Sequence, residues 1–319
     1  MKKIDFEKAI GAYPTMVTPY DADGNVDFAA AEALVEWYWN KGCDGIFAVC
    51  QSSEIHFLSE DDRVRLAECV KKKADALAEA DKSREPMIIV ASGHVSDSFE
   101  DQARELRRIA ETGIDVLILI TNRMDIGNTD DDAWIRDAER LIAAIPAEVP
   151  LGLYECPSPY KRLLTPKMLR WCLSTGRFRY IKDTCCDAAE IGRRMEILSG
   201  TPLRLFNANA QTLLPSLKSG AAGYCGVMCN FHPELYVWLT HNWDRAPGKA
   251  VLTADFLSMA AFTEALAYPI TAKYHLSENE GIPMTLHARS RKAEDFTPYH
   301  AMCVNQMNEL AMHIAASLK

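Results

Sequence analysis

Residues 177–187 read RFRYIKDTCCD. Gly176 precedes the run, and Phe178-Arg179-Tyr180-Ile181 has the make-up of a short strand that delivers Lys182 near its C-terminal end, before the polar pair Asp183-Thr184. In a barrel of alternating strands and helices, those strand ends form the mouth where such folds do their chemistry. A lysine ammonium held among apolar walls loses hydration, which in general lowers its pKa and frees an amine to attack a carbonyl carbon. The alternative from these residues alone is a surface lysine paired with Asp183.

Outward from Lys182, the same strand-then-helix unit recurs. Ala12 to Thr18 reads as a first strand, with a helix from Phe28 to Asn40. Gly45 to Cys50 is a second, and Ser59-Glu60-Asp61-Asp62 opens its helix with a capping serine and an acidic first turn. Met87 to Ala91 is a third, with a helix from Ser98 to Thr112, and Val116 to Ile120 a fourth, with a helix from Asp130 to Ala144. Pro150 to Tyr154 is a fifth, and Thr165-Pro166 starts its helix. The Lys182 strand is the sixth, Leu203 to Phe206 the seventh and Gly223 to Val227 the eighth. Eight such units predict an α/β chain folded as a closed (β/α)8 TIM barrel. An open doubly wound sheet is the alternative, but no Gly-x-Gly-x-x-Gly follows the first strand. Beyond residue 245 the alternation stops. Ala250 to His275 and Phe296 to Leu318 read as helices separated by GIPMTLHARSR. The expected division is a barrel over residues 1–245 and a C-terminal helical appendage over 246–319, with no second catalytic domain.

The chain has 319 residues, of which 48% are hydrophobic and 25% charged, the balance of a globular protein with a sizeable core. The net charge of −9 argues against nucleic-acid and anionic-membrane partners. The basic run Lys71-Lys72-Lys73 reads as a solvated helix face. No stretch approaches the ~18 consecutive apolar residues of a membrane span. The opening MKKIDFEKAI lacks the apolar core of a signal peptide, so a cytoplasmic location is expected. The 10 cysteines sit mostly in apolar runs (Cys50, Cys172, Cys225, Cys303), the pattern of reduced thiols and not of a disulfide framework. Cys225 and Cys229 are four apart and Cys185-Cys186 are adjacent, neither being the Cys-x-x-Cys pair of a zinc site.

Several of these residues occur together in a recognisable order. They are Ala12 to Tyr20 with its Thr-Pro, Ser52-Ser53-Glu54 after strand two, Tyr154 with Pro157 after strand five, and Lys182 within IKD. Over residues 9–240 the chain resembles the dihydrodipicolinate synthase and N-acetylneuraminate lyase family of class I, Schiff-base-forming aldolases. The resemblance implies that Lys182 forms an imine with a 2-oxo acid, usually pyruvate, without metal or cofactor. It implies that Tyr154 shuttles protons, and that Ser52 and Ser53 hold the carboxylate, with Ser53 also relaying a proton. A plain turn with capping serines is the alternative for that pair, and a packed strand-end aromatic is the alternative for Tyr154. Ala208 and Cys225 fall where the family places small groups near the imine. Thr184 falls where the sugar-acid lyase branch touches the acceptor.

The chain also departs from the family. The loop Thr121-Asn122-Arg123-Met124 lacks the tyrosine of dihydrodipicolinate synthases that crosses a subunit interface, and Pro159 stands where those enzymes carry an arginine. Asn209, Ala210, Gln211 and Val227 replace the acidic and hydroxyl groups with which sialic acid lyases bind a polyol. Cys50 replaces a glycine. Glu155 replaces an asparagine and, if Tyr154 faces inward, strand alternation turns it away into a structural role. Lys161, Arg162 and Arg123 are candidates for a cationic grip, equally readable as loop residues, while His56 and His94 receive no role.

The expected function is a metal-independent aldolase or lyase joining or cleaving a 2-oxo acid and an unidentified aldehyde through an imine on Lys182. Dihydrodipicolinate synthase activity and dehydration of a deoxy-oxo sugar acid are alternatives within the family. A barrel that binds a 2-oxo acid without turnover, and a metal-dependent barrel enzyme, are alternatives of other classes. The expected partners are small molecules and further copies of the chain, as a tetramer or dimer.

Overall fold

The computed structural model describes residues 6–319, so the first five residues of the expected barrel unit lie outside it. Eight parallel strands are joined in the order β1-β8-β7-β6-β5-β4-β3-β2. They are β1 (Gly11–Pro14), β2 (Gly45–Phe47), β3 (Ile88–Ala91), β4 (Val116–Ile120), β5 (Leu151–Tyr154), β6 (Phe178–Asp183), β7 (Arg204–Asn207) and β8 (Gly223–Gly226). The ring is drawn together between β1 and β2 by a bridge from Thr15 to Phe47. Asp44 N–H donates to Ala12 O and Met16 N–H to Phe47 O, each at 3.1 Å. This is the (β/α)8 barrel that the repeated units predict.

Helices α1 (Phe28–Asn40), α2 (Glu60–Ala80), α3 (Phe99–Ala110), α4 (Asp131–Ala143), α5 (Pro166–Thr175), α6 (Ala188–Leu198), α7 (Leu213–Lys218) and α8 (Pro233–Asn242) follow their strands in turn. Their starts are written locally. The side chains of Asp27, Ser59, Ser98, Asp130, Thr165 and Asp187 each accept a backbone N–H in the first turn of the helix they precede, satisfying donors that a helix leaves unpaired.

The barrel interior is layered by strand alternation. Tyr180 and Phe206 stack at 4.5 Å, with Tyr13 tilted against Phe206 at the same distance. Gly45 makes room for this layer, because a Cβ there would lie 2.1 Å from the Tyr13 ring. Tyr180 precedes Lys182 by two residues, so the aromatic layer forms the floor beneath the lysine.

Two expectations are corrected. β1 ends at Pro14 and β2 at Phe47, because a proline donates no ladder hydrogen bond and Gln51–Ser53 turns into a 3₁₀ helix. The helix expected over Ala250 to His275 is broken into α9 (Pro247–Ala260), a short 3₁₀ turn Ala261–Ala265, and α10 (Ile270–Tyr274), which continues as a π turn to Asn279. Ala267 has φ 47° and Pro269 lacks an N–H, and both are incompatible with a continuous helix. The last helix is α11 (Pro298–Leu318). This segment folds back over the barrel: Thr285 Oγ1 donates to Tyr20 O at 2.8 Å, and Trp37 Nε1 donates to Glu280 Oε2 at 2.8 Å.

All ten cysteines are free thiols. Among the described residues no single helix is long and apolar enough to cross a membrane.

Candidate active site

Lys182 and Tyr154 are paired in the β5–β6 register, and Phe206 flanks Lys182 on the other side. Lys182 is 4% exposed and Tyr154 2%. The lysine Nζ stands 4.3 Å from the Tyr154 ring centre and 5.5 Å from that of Phe47. The alternative of a surface lysine paired with Asp183 does not hold. Asp183 points to the other side of the strand and is bound to Arg194 of α6 in a very short contact. Above Lys182 opens a cavity of about 530 Å³ at the C-terminal ends of the strands.

Cys156 stands beside Tyr154: its backbone N–H donates to Tyr154 O at 2.8 Å, and its Sγ donates to Gln51 Oε1 at 3.4 Å. Burial pushes the Tyr154 phenol well above its ordinary pKa, so the resting side chain is neutral and a donor.

The two serines after β2 have different surroundings. Ser52 lines the cavity. Its hydroxyl donates to Thr15 Oγ1 at 3.0 Å. Ser53 is fully buried and is not brought to the cavity lining. Its hydroxyl faces Met16 O at 2.7 Å and Ala48 O at 2.9 Å and accepts from Cys50 N–H at 3.1 Å. The expectation that Ser53 joins Ser52 over the substrate is therefore not met by this geometry. The tight turn aims consecutive side chains in opposite directions, and Ser53 becomes the pin that holds the turn to the segment after β1.

Thr184 and Ala208 line the cavity. The Thr184 hydroxyl donates to Glu155 O at 2.7 Å, leaving its oxygen free to accept. Cys225 is fully buried on β8 below the cavity lining. Glu155 turns away from Tyr154, as alternation predicts. It accepts from Leu164 N–H at 2.8 Å and Thr184 N–H at 2.9 Å, and pairs with Arg194 at 2.8 Å.

Of the three cationic candidates, Lys161 alone lines the cavity, with Nζ donating to Thr184 O at 2.7 Å. Arg123 is bound to Asp97 at 2.9 Å and Val95 O at 3.2 Å, and Arg162 to Asn128 at 2.6 Å and Asp131 at 3.4 Å. His56 lines the mouth. His94 is buried outside it: its Nε2 accepts from Ile120 N–H at 2.6 Å and its Nδ1 faces Gln102 Oε1 at 3.0 Å.

The lining also includes residues to which the sequence assigns no role, among them Gln51, Glu264, Tyr268 and Arg291. The last three come from the C-terminal segment. It is fastened to the β2 loop through Glu54, which accepts from the N–H and hydroxyl of Ser290 at 2.6 Å each and faces buried Lys273 at 3.5 Å. Glu54 itself takes φ 60°, a left-handed conformation that ordinary side chains seldom adopt. No local pattern marks residues 264–291 as part of a site, because their approach depends on this long-range clamp. Among the described residues no group of three or more His, Cys, Asp or Glu side chains could hold a metal ion.

Comparison with known proteins places these features in one family. A family model described as the Dihydrodipicolinate synthetase family matches residues 8–290. The 4-hydroxy-tetrahydrodipicolinate synthase of Haloarcula marismortui is 26% identical over 234 residues, covering 73% of this chain and 71% of that protein. Among solved structures, the sialic acid aldolase of Ruminococcus gnavus superposes with a TM-score of 0.84 at 18% identity, covering 98% of this chain and 100% of the other. The 4-hydroxy-tetrahydrodipicolinate synthase of Methylacidiphilum fumariolicum SolV gives 0.82 at 19%, covering 97% and 98%. At these identities the structural likeness speaks to fold alone.

Proposed function

The chain belongs to the dihydrodipicolinate synthetase family, a family of Schiff-base-forming aldolases and lyases, and we propose on that premise that Lys182 is its imine-forming residue. The Lys182 amine attacks the C2 carbonyl of a 2-oxo acid, with pyruvate the simplest, and loss of water leaves an iminium. The iminium draws electrons, so a proton leaves the neighbouring carbon and an enamine forms. The enamine carbon then bonds to the carbonyl carbon of an aldehyde, or the same steps run backwards in cleavage. Tyr154 is assigned the proton transfers at the carbinolamine, and Ser52 the grip on the carboxylate. Thr184 and Ala208 border the space for the acceptor. Cys225 serves as packing beneath the imine, and Ser53 holds the turn that carries Ser52.

What carries this reading is the Lys182 amine held 4.3 Å from the centre of the Tyr154 ring at the bottom of an open cavity. The test is incubation with pyruvate and borohydride, followed by intact-mass measurement and peptide mapping beside a Lys182→Ala control. The expected result is a reduced adduct on Lys182 that the control lacks. Absence of an adduct with pyruvate and with larger 2-oxo acids would remove the imine reading.

The same reading includes a cytoplasmic, homo-oligomeric enzyme. Assembly fits the apolar side chains of Val251, Leu252, Met259 and Phe262, which are exposed on one side of α9 and the turn after it. It also keeps the division into a barrel over residues 1–245 and an extension over 246–319. The extension is counted as part of the working site because Glu264, Tyr268 and Arg291 line the cavity.

A further inference from the structure

We propose that Glu264, supplied by the C-terminal segment, is the acid–base residue on the acceptor side of Lys182, and that the acceptor is a hydroxyaldehyde whose hydroxyl it binds. The inference rests on the imine reading and adds the substrate class to it. Glu264 lies on the 3₁₀ turn Ala261–Ala265 and lines the same cavity as Lys182. The two carboxylates of the lining are not equivalent. Glu54 is spent on Ser290 and Lys273. Glu264 has no hydrogen-bond or ion-pair partner among the described residues, and its one charged influence is Lys182.

Glu264 is exposed to solvent along the cavity wall, and the protein around it pushes its carboxyl up to about 7 against the pull of Lys182. The other titratable groups that sense it are Cys186 behind β6, Tyr224 on β8, Tyr236 on α8 and Tyr268. The tyrosines among them are pushed well above the phenol range by burial, and Glu264 is the carboxyl of the lining that no other side chain among the described residues holds.

An unpartnered carboxyl that a bound substrate covers needs donors, or it is left desolvated and unpaired. Hydroxyl groups on the acceptor supply them. In the cleavage direction the C–C bond breaks and its electron pair passes to the iminium on Lys182, giving the enamine. The hydroxyl oxygen on the departing carbon becomes the aldehyde carbonyl, and its proton passes to the Glu264 carboxylate. Condensation returns that proton to the new alkoxide oxygen. No oxidant or further reactant is needed.

The test separates the two half-reactions in the full-length protein. Exchange of the pyruvate methyl protons in deuterium oxide, followed by NMR, reports the imine and enamine without an acceptor. Carboligation of pyruvate with glyceraldehyde, compared with propionaldehyde, reports the acceptor step. Wild type should prefer glyceraldehyde by at least about 10-fold, the worth of a charge-assisted hydrogen bond. Glu264→Gln, which preserves shape, should keep methyl exchange while carboligation falls about 100-fold and the preference disappears. The proposal is overturned if Glu264→Gln carboligates like wild type, or if wild type exchanges protons yet uses neither aldehyde or favours propionaldehyde. If wild type fails to exchange at all, the imine reading falls and this proposal falls with it.

Discussion

Tyr154 and Lys182 are direct partners across the β5–β6 ladder, and the amine of one stands 4.3 Å from the ring centre of the other. A slip of one residue in either strand would turn that side chain out of the barrel. The pairing therefore ties the chemistry to the sheet register and not to a mobile loop. Tyr154→Phe removes the hydroxyl but keeps the ring that packs on Lys182. It should retain the borohydride-trapped pyruvate adduct while slowing methyl exchange by about 100-fold, the usual worth of a positioned proton carrier. An exchange rate equal to wild type would show that another group moves the proton.

Ser52 and Ser53 are neighbours with opposite duties, and their alanine variants should separate. Ser52→Ala should raise the pyruvate concentration needed for half-maximal adduct formation and leave the melting temperature near wild type. Ser53→Ala strips partners from Met16 O, Ala48 O and Cys50 N–H in the buried turn. It should cost about 1–3 kcal/mol of stability, read as a lower melting temperature. Equal melting temperatures for the two would contradict the division of roles.

Arg194 is 2% exposed and stands between Glu155 and Asp183, both fully buried. Its removal leaves two carboxylates facing each other without a counter-charge. Arg194→Met should destabilise the protein by about 3–5 kcal/mol, the range for breaking a buried pair by deleting one partner. Denaturant unfolding measures this directly, and a loss below 1 kcal/mol, the ordinary surface-pair range, would mean that water reaches the cluster.

Burial lowers the pKa of His94 from its ordinary 6.5 to about 4. Its Nε2 must stay unprotonated to accept from Ile120 N–H. The unfolded chain binds this proton more tightly than the folded one, so the contribution of the neutral ring is complete above pH 6.5 and is lost as pH falls to about 4. Fully expressed, the effect is about 3 kcal/mol. His94→Gln offers Ile120 a non-titrating acceptor. Its stability should fall less steeply than that of wild type across this window. Parallel pH profiles for the two proteins would assign the acid limb elsewhere, for example to buried His232 or His275, which burial also lowers, to about 3 and about 4.

Much of this arrangement was legible in the sequence, for a local reason. Strand and helix periodicities, helix-capping residues and the spacing of eight units depend on neighbouring residues, and they specify the barrel. They also place Lys182 above Tyr180 on the inner face and send Glu155 outward from Tyr154. Turns and the C-terminal segment obey no such period. The Ser53 hydroxyl is aimed by the carbonyl of Met16, 37 residues earlier, and the helix expected through Ala267 gives way to a bend that presents Tyr268. Glu264 and Arg291 reach the cavity in a segment that the left-handed Glu54 clamps through Ser290, 236 residues away. Such contacts exist only after the chain has closed on itself, and so the tertiary structure alone decided which serine faces the cavity and which residues of the tail complete its wall.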